Sequence, residues 1–142
     1  MKIYTAVNVN TLTNIYVVTD DQHRYGAIID PGDFSENVYQ LIKSINVDIK
    51  KVFITHNSPD QTMGIPVIKK IFDIDIYAFD EIILNYETVT VREGSQIVLN
   101  DLKFKIIETP VHTYDSISVL IDDAIFIGDI FQSGTLSSFI ES

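Results

Sequence analysis

The spacing of apolar residues changes period several times along the chain, and each change marks a predicted element. Alternating or continuous apolar runs predict strands over Ile3 to Val9, Ile15 to Thr19 and Tyr25 to Ile29, the last two separated by the polar turn Asp20-Asp21-Gln22-His23-Arg24. Val38, Leu41, Ile42 and Ile45 then recur at the spacing of one helix face, and Asp33 with Glu36 is spaced as a capping box at its start. Lys51 to Thr55 predicts a buried strand. Val67, Ile68, Ile71 and Phe72 predict a shorter second helix, Ile74 to Ala78 another strand and Asp80 to Tyr86 a short helix. From Thr88 onward the pattern is strand: Thr88 to Arg92, Gln96 to Leu99, Leu102 to Glu108, Ser116 to Ile121 and Ala124 to Ile127. Glu93-Gly94-Ser95 and Asn100-Asp101 cut this stretch into hairpins. Strands and helices that alternate and then give way to a β meander predict a mixed α/β layered domain.

Composition narrows the partners. The 142 residues are 46% hydrophobic, enough for one core, so a single domain over 1–142 is expected. Ten Lys plus Arg stand against twenty Asp plus Glu, a net charge of −10, which disfavours a nucleic-acid partner because phosphate binding needs clustered cations. No apolar run approaches the roughly 20 residues that span a bilayer. Met1-Lys2-Ile3-Tyr4 opens without the apolar stretch of a signal peptide. The expectation is a cytoplasmic protein with no membrane partner. Zero cysteines removes disulfides and thiolate ligands alike.

Candidate chemistry gathers in short segments: Thr55-His56-Asn57-Ser58-Pro59-Asp60-Gln61, Thr109-Pro110-Val111-His112-Thr113 and Gly128-Asp129, preceded by Asn14-Ile15-Tyr16 and Ile29-Asp30-Pro31-Gly32. The first follows the predicted strand Lys51 to Thr55, at the end where open α/β sheets place their sites. In this order the segments resemble the metallo-β-lactamase superfamily, and within it the glyoxalase II-like hydrolases, whose loop reads THxHxDH, followed by TPGHT and a late GD. The resemblance implies an αββα sandwich with mixed sheets and helices outside, here C-terminally shortened. It also implies a two-metal centre whose bridging hydroxide attacks the substrate.

Carried over by position, the resemblance makes His56, His112, Asp129 and Asp60 metal ligands, with Asp30 as a supporting residue behind the site. Ser58 and Gln61 stand where the loop's other two histidines would be, and Val111 where TPGHT has its glycine. The chain has three histidines, His23, His56 and His112, too few for the full two-metal set, and His23 is expected to be a solvated turn residue. His56, His112 and Asp129 map to one metal position and form a workable three-ligand set. The resemblance thus allows no metal or one divalent ion, zinc, iron or manganese. Ser58-Pro59-Asp60-Gln61 also fits a capping box, with Pro59 at the first helical position. Pro66 then predicts one turn over Pro59 to Thr62 and a new helix from Ile65 or Pro66.

Three functions follow from the resemblance. The first is a non-catalytic binding or scaffold protein that accepts a small anionic ligand or a protein partner. The second is a single-metal hydrolase of thioesters or esters, with Asp60 as base or water-positioning group. The third is a diiron oxygen-binding relative, against which Ser58 counts because that subclass carries a carboxylate there. A sheet left short by the missing C-terminal region predicts a homodimer or larger assembly.

Overall fold

Strand pairing sorts the apolar runs into two sheets packed face to face. The computed structural model describes residues 1–110, 113–128 and 130–133. Strands β1 (Lys2–Val7), β2 (Asn14–Thr19) and β3 (Tyr25–Ile29) form an antiparallel meander. Helix α1 (Glu36–Ile45) crosses over to β4 (Asp48–Phe53), parallel to β3. The short helices α2 (Pro59–Thr62) and α3 (Ile65–Ile71) lead to β5 (Asp75–Ala78). A hairpin of β6 (Ile82–Ile83) and β7 (Tyr86–Glu87) precedes β8 (Val89–Thr90), which completes the first sheet in the order β1-β2-β3-β4-β5-β8. Then β9 (Gln96–Leu99), β10 (Leu102–Glu108), β11 (Ile117–Ile121), β12 (Ala124–Ile127) and β13 (Ile130–Ser133) build the antiparallel second sheet, in the order β13-β12-β11-β10-β9.

The side-chain alternation of the central strands divides one chain between two cores. Ile15 and Val17 of β2 join α1 and α3 in a helix-side core with Val38, Ile42, Ile65 and Ile68. Tyr16 and Val18 face the second sheet, where they meet Phe104, Val119 and Phe126. Strands buried on both faces read as continuous apolar runs, which is why β2 and β3 are so uniformly hydrophobic. In β4 a register shift opposite Gly26 and Ala27 leaves Lys50 extra, so Ile49 and Val52 both reach the helix-side core while Phe53 reaches the other. There Phe53 stacks on Tyr77 at 5.2 Å and meets Phe104 at 4.7 Å between ring centroids, joining the sheets through aromatic contact.

Several sequence expectations change on tertiary grounds. Helix α1 starts after Ser35, not Asp33, because the buried Asn8 accepts the Ser35 N–H at 3.2 Å and fixes the chain there. The Asp33 carboxylate caps nothing and has no hydrogen-bond partner among the described residues. Asp80 to Tyr86 is not a helix: Leu84 and Asn85 take φ of 50° and 68° and turn β6 back onto β7. On α3, Ile65 and Ile68 are the buried residues, while Val67 and Ile71 are 45% and 44% exposed. The new helix does begin at Ile65, and α2 does span Pro59–Thr62. His23 is half-buried and hydrogen-bonds the Tyr4 hydroxyl at 2.8 Å. Strand β13 extends the meander beyond the predicted elements.

Candidate functional site

The loop that leaves β4 is fixed by carboxylates from both sheets. Asp30, fully buried at the end of β3 with φ of 53°, accepts the Thr55 N–H at 2.8 Å and the Thr55 hydroxyl at 2.6 Å. From the second sheet, Asp115 accepts the Asn57 N–H through Oδ2 at 2.7 Å, and the Ile117 N–H donates to the Thr55 carbonyl at 2.8 Å. His56 is thus held between two residues whose backbone groups are tied down. Its Nδ1 lies 3.5 Å from Thr55 Oγ1. The Thr55 hydroxyl donates to Asp30 Oδ2, which orients Thr55 beside the His56 ring.

The residues after His56 are committed to a helical turn. Ser58 is the N-cap of α2 in extended conformation, and its carbonyl accepts the N–H groups of Gln61 and Thr62 and the Thr62 hydroxyl at 3.0, 3.1 and 3.0 Å. Pro59 occupies the first turn, as expected. The reciprocal side-chain bonds of a capping box do not form, since the Ser58 hydroxyl makes no cap and Gln61 turns inward instead. Gln61 is 4% exposed, its carbonyl accepts the Gly32 N–H at 3.2 Å, and its buried Oε1 has no hydrogen-bond partner among the described residues. Asp60, in the first turn, is exposed.

A third group closes one side. The Asn57 side chain donates to Asp80 Oδ2 at 3.0 Å, and the Tyr114 hydroxyl lies 3.5 Å from Asp80 Oδ1. The Tyr114 phenol is held above its ordinary value, first by the charge of Asp80 and then by partial desolvation and Asp115. Phe79 meets Tyr114 edge-on at 5.9 Å, and the Arg92 guanidinium lies 3.7 Å above the Phe79 ring. Sequence reading singled out Asp30 but missed Asp115 and Asp80. Both sit in polar turn-like stretches, and nothing in their neighbours signals a carboxylate aimed at a backbone 58 residues away in one case and at an asparagine 23 residues away in the other.

Of the four expected metal ligands, His56 and Asp60 are described, and His112 and Asp129 lie outside the described residues. Among the described residues no group of three His, Cys, Asp or Glu side chains converges as a metal site. Ser58 and Gln61 offer a hydroxyl and a carboxamide where the resemblance would place imidazoles, and the Ser58 carbonyl is already engaged by α2. At positions 58 and 61 the loop therefore offers no imidazole to a two-metal centre.

A model of the metallo-beta-lactamase superfamily matches residues 9–140. The chain belongs to that superfamily. Among its relatives is a hydroxyacylglutathione hydrolase from Dictyostelium discoideum, 31% identical over 95% of this chain and 54% of its own length. Another, from Hahella chejuensis (strain KCTC 2396), is 30% identical over 75% of this chain and 43% of its own. The chain therefore spans about half the length of the curated relatives it matches. A crystal structure of ETHE1 from Myxococcus xanthus superimposes with a TM-score of 0.77 at 24% identity, over 89% of this chain and 56% of that one, which shows the shared fold. The described superfamily layers are the α1 and α3 face, the mixed first sheet and the antiparallel second sheet. No helix among the described residues is long and apolar enough to cross a membrane.

Proposed function

We propose that this chain is a binding or scaffold member of the metallo-beta-lactamase superfamily that does not perform two-metal hydrolysis, and that it acts in the cytoplasm. The observation that carries the reading is the fate of the two substituted positions. Ser58 starts a helix with its carbonyl, and Gln61 buries its side chain, so both act in local folding where the family's loop would present imidazoles. Beside His56 the chain keeps a polar surface in which Asp80 links Asn57 and Tyr114, with the Arg92 cation stacked on the neighbouring Phe79. A small anionic ligand or a protein partner is what this reading assigns to that surface.

A second reading rests on one specific observation, the placement of His56 between Thr55 and Asn57, whose backbone N–H groups are held by Asp30 and Asp115. With His112 and Asp129 it would hold a single zinc, iron or manganese ion, which supplies a metal-bound hydroxide for thioester or ester hydrolysis. Asp60 would then position or deprotonate the water. Elemental analysis of protein purified without chelators separates the two. Less than about a tenth of an equivalent of metal, with no turnover of a hydroxyacylglutathione thioester after zinc, iron or manganese is added, is the expected result. Stoichiometric metal that is lost in a His56→Ala, His112→Ala variant, together with thioester turnover, would overturn the first reading and establish the second.

A further inference from the structure

The β6–β7 hairpin and the space between α1 and α3 both expose apolar side chains and carry opposite charges. The hairpin is short and projects apolar residues into solvent: Ile82 is 59% exposed and Leu84 47%. Leu84 and Asn85 form its two-residue turn, both at positive φ. For asparagine that conformation is ordinary, whereas for a leucine it costs strain, and here the strain holds an apolar side chain at an exposed tip. Asp80, Glu81 and Glu87 give the segment from 80 to 87 three negative charges and no positive one. Glu81 and Glu87 are exposed and make no ion pair among the described residues.

Across α3 lies a groove of about 180 Å³ whose chemistry is the inverse. Tyr39 and Lys43 of α1 form one wall and Ile71 of α3 the other, over a floor that includes Ile42, Val47 and Phe72. Val67, one turn before Ile71, continues the apolar wall at 45% exposure. Lys43 is the only charged residue on the lining, and Lys70 lies beside Ile71 on α3. Neither forms an ion pair among the described residues. In a chain of net charge −10, an apolar groove with Lys43 on its lining, exposed Lys70 next along α3 and no carboxylate is a place where an acidic, apolar knob meets attraction instead of repulsion.

We infer that the groove between α1 and α3 receives the β6–β7 hairpin of a second copy of this chain, with Ile82 and Leu84 against Val67 and Ile71 and with Glu81 and Glu87 facing Lys43 and Lys70. The hairpin cannot serve its own groove, because Ile83 is anchored in the helix-side core and Tyr86 lies under Lys69 on the flank of α3. Hairpin and groove flank the same helix on the same face of the first sheet. The proposed arrangement is a twofold dimer in which each hairpin enters the other copy's groove.

Light scattering on the full chain at about 100 μM tests the assignment, with circular dichroism used to confirm that each variant is folded. The wild type is expected at twice the chain mass. Ile71→Asp is expected to weaken association at least tenfold, as is Leu84→Asn, which suits the positive φ of the turn while removing the apolar contact. Charge reversal gives the decisive arm. Lys43→Glu/Lys70→Glu protein and Glu81→Lys/Glu87→Lys protein should each be monomeric alone and dimeric when mixed, since each supplies the hairpin charge that the other's groove needs. A monomeric wild type, a dimer indifferent to these substitutions, or reversed variants that stay monomeric on mixing would each overturn the assignment.

Discussion

The Asp115 carboxylate, in the turn before β11, accepts the backbone N–H of Asn57 in the loop after β4 at 2.7 Å, across 58 residues of sequence. It acts as a clamp at the residue after His56, as Asp30 does at the residue before it. Asp115 is 6% exposed, so the Asn57 N–H satisfies a polar group that is largely removed from water.

Asp115→Ala is expected to destabilise the fold by about 2 kcal/mol, the cost of leaving the Asn57 donor without its charged acceptor. Urea unfolding measures the loss. Asp115→Asn, which keeps an acceptor oxygen without the charge, should recover part of it.

Gly32 has φ of 61°, and a Cβ built on it would lie 2.3 Å from the Asn8 side-chain nitrogen and 2.8 Å from Thr13 Oγ1. Gly32→Ala combines the left-handed backbone penalty with a clash against a buried polar cluster, and a loss of more than about 2 kcal/mol is expected. Because Gly32 bonds the Gln61 carbonyl and receives the Gly64 N–H at 2.7 Å, amide exchange in 61–64 should accelerate in the same variant. Unchanged protection there would separate the Asn8 cluster from the site loop.

Burial pushes the Asp20 carboxyl up, but hydrogen bonds from the Asn100 side chain and the backbone of Arg24 and Tyr25 outweigh it, and the net shift is downward. The Asn100 donor lies 2.8 Å from Asp20 Oδ2 and joins the two sheets at one end. A carboxyl with a lowered folded pKa adds stability above its unfolded value, about 3.9, and that stability is lost as pH falls through the folded value. Asn100→Ala should therefore be less stable than the wild type at pH 7, with the gap narrowing below about pH 4 to the pH-independent cost of alanine at a φ of 55°. Chemical unfolding at pH 7 and pH 3 tests the sign.

Ser58→His places an imidazole at the N-cap of α2, beside the clamped His56. If the loop still presents position 58 to the site, zinc affinity by isothermal titration should rise roughly tenfold or more over the wild type. No gain would mean that the turn built on the Ser58 carbonyl directs the side chain elsewhere.

Much of the architecture was legible in the amino-acid pattern because it follows from local periodicity. Strands β3, β9, β10 and β12 fall on their predicted bounds, and Pro59 and Pro66 placed the two short helices correctly, since proline restricts backbone geometry wherever the chain goes. The segments around His56, His112 and Gly128 carried the family. Its superfamily model matches residues 9–140.

What only the tertiary structure decided are relations between distant residues, and local propensity does not contain those. Asn8, not Asp33, sets the start of α1 because it reaches the Ser35 N–H from 27 residues away. The apolar spacing at Asp80 to Tyr86 suits a helix, yet packing of Ile83 and Tyr86 under α3 draws the segment into a hairpin and accepts a leucine at positive φ. At the site, sequence supplied the identities of His56, Ser58, Asp60 and Gln61. Only the fold revealed that Asp30 and Asp115 close on the loop from separate sheets, because a carboxylate's target is set by where the sheets bring its backbone, not by its neighbours in the chain.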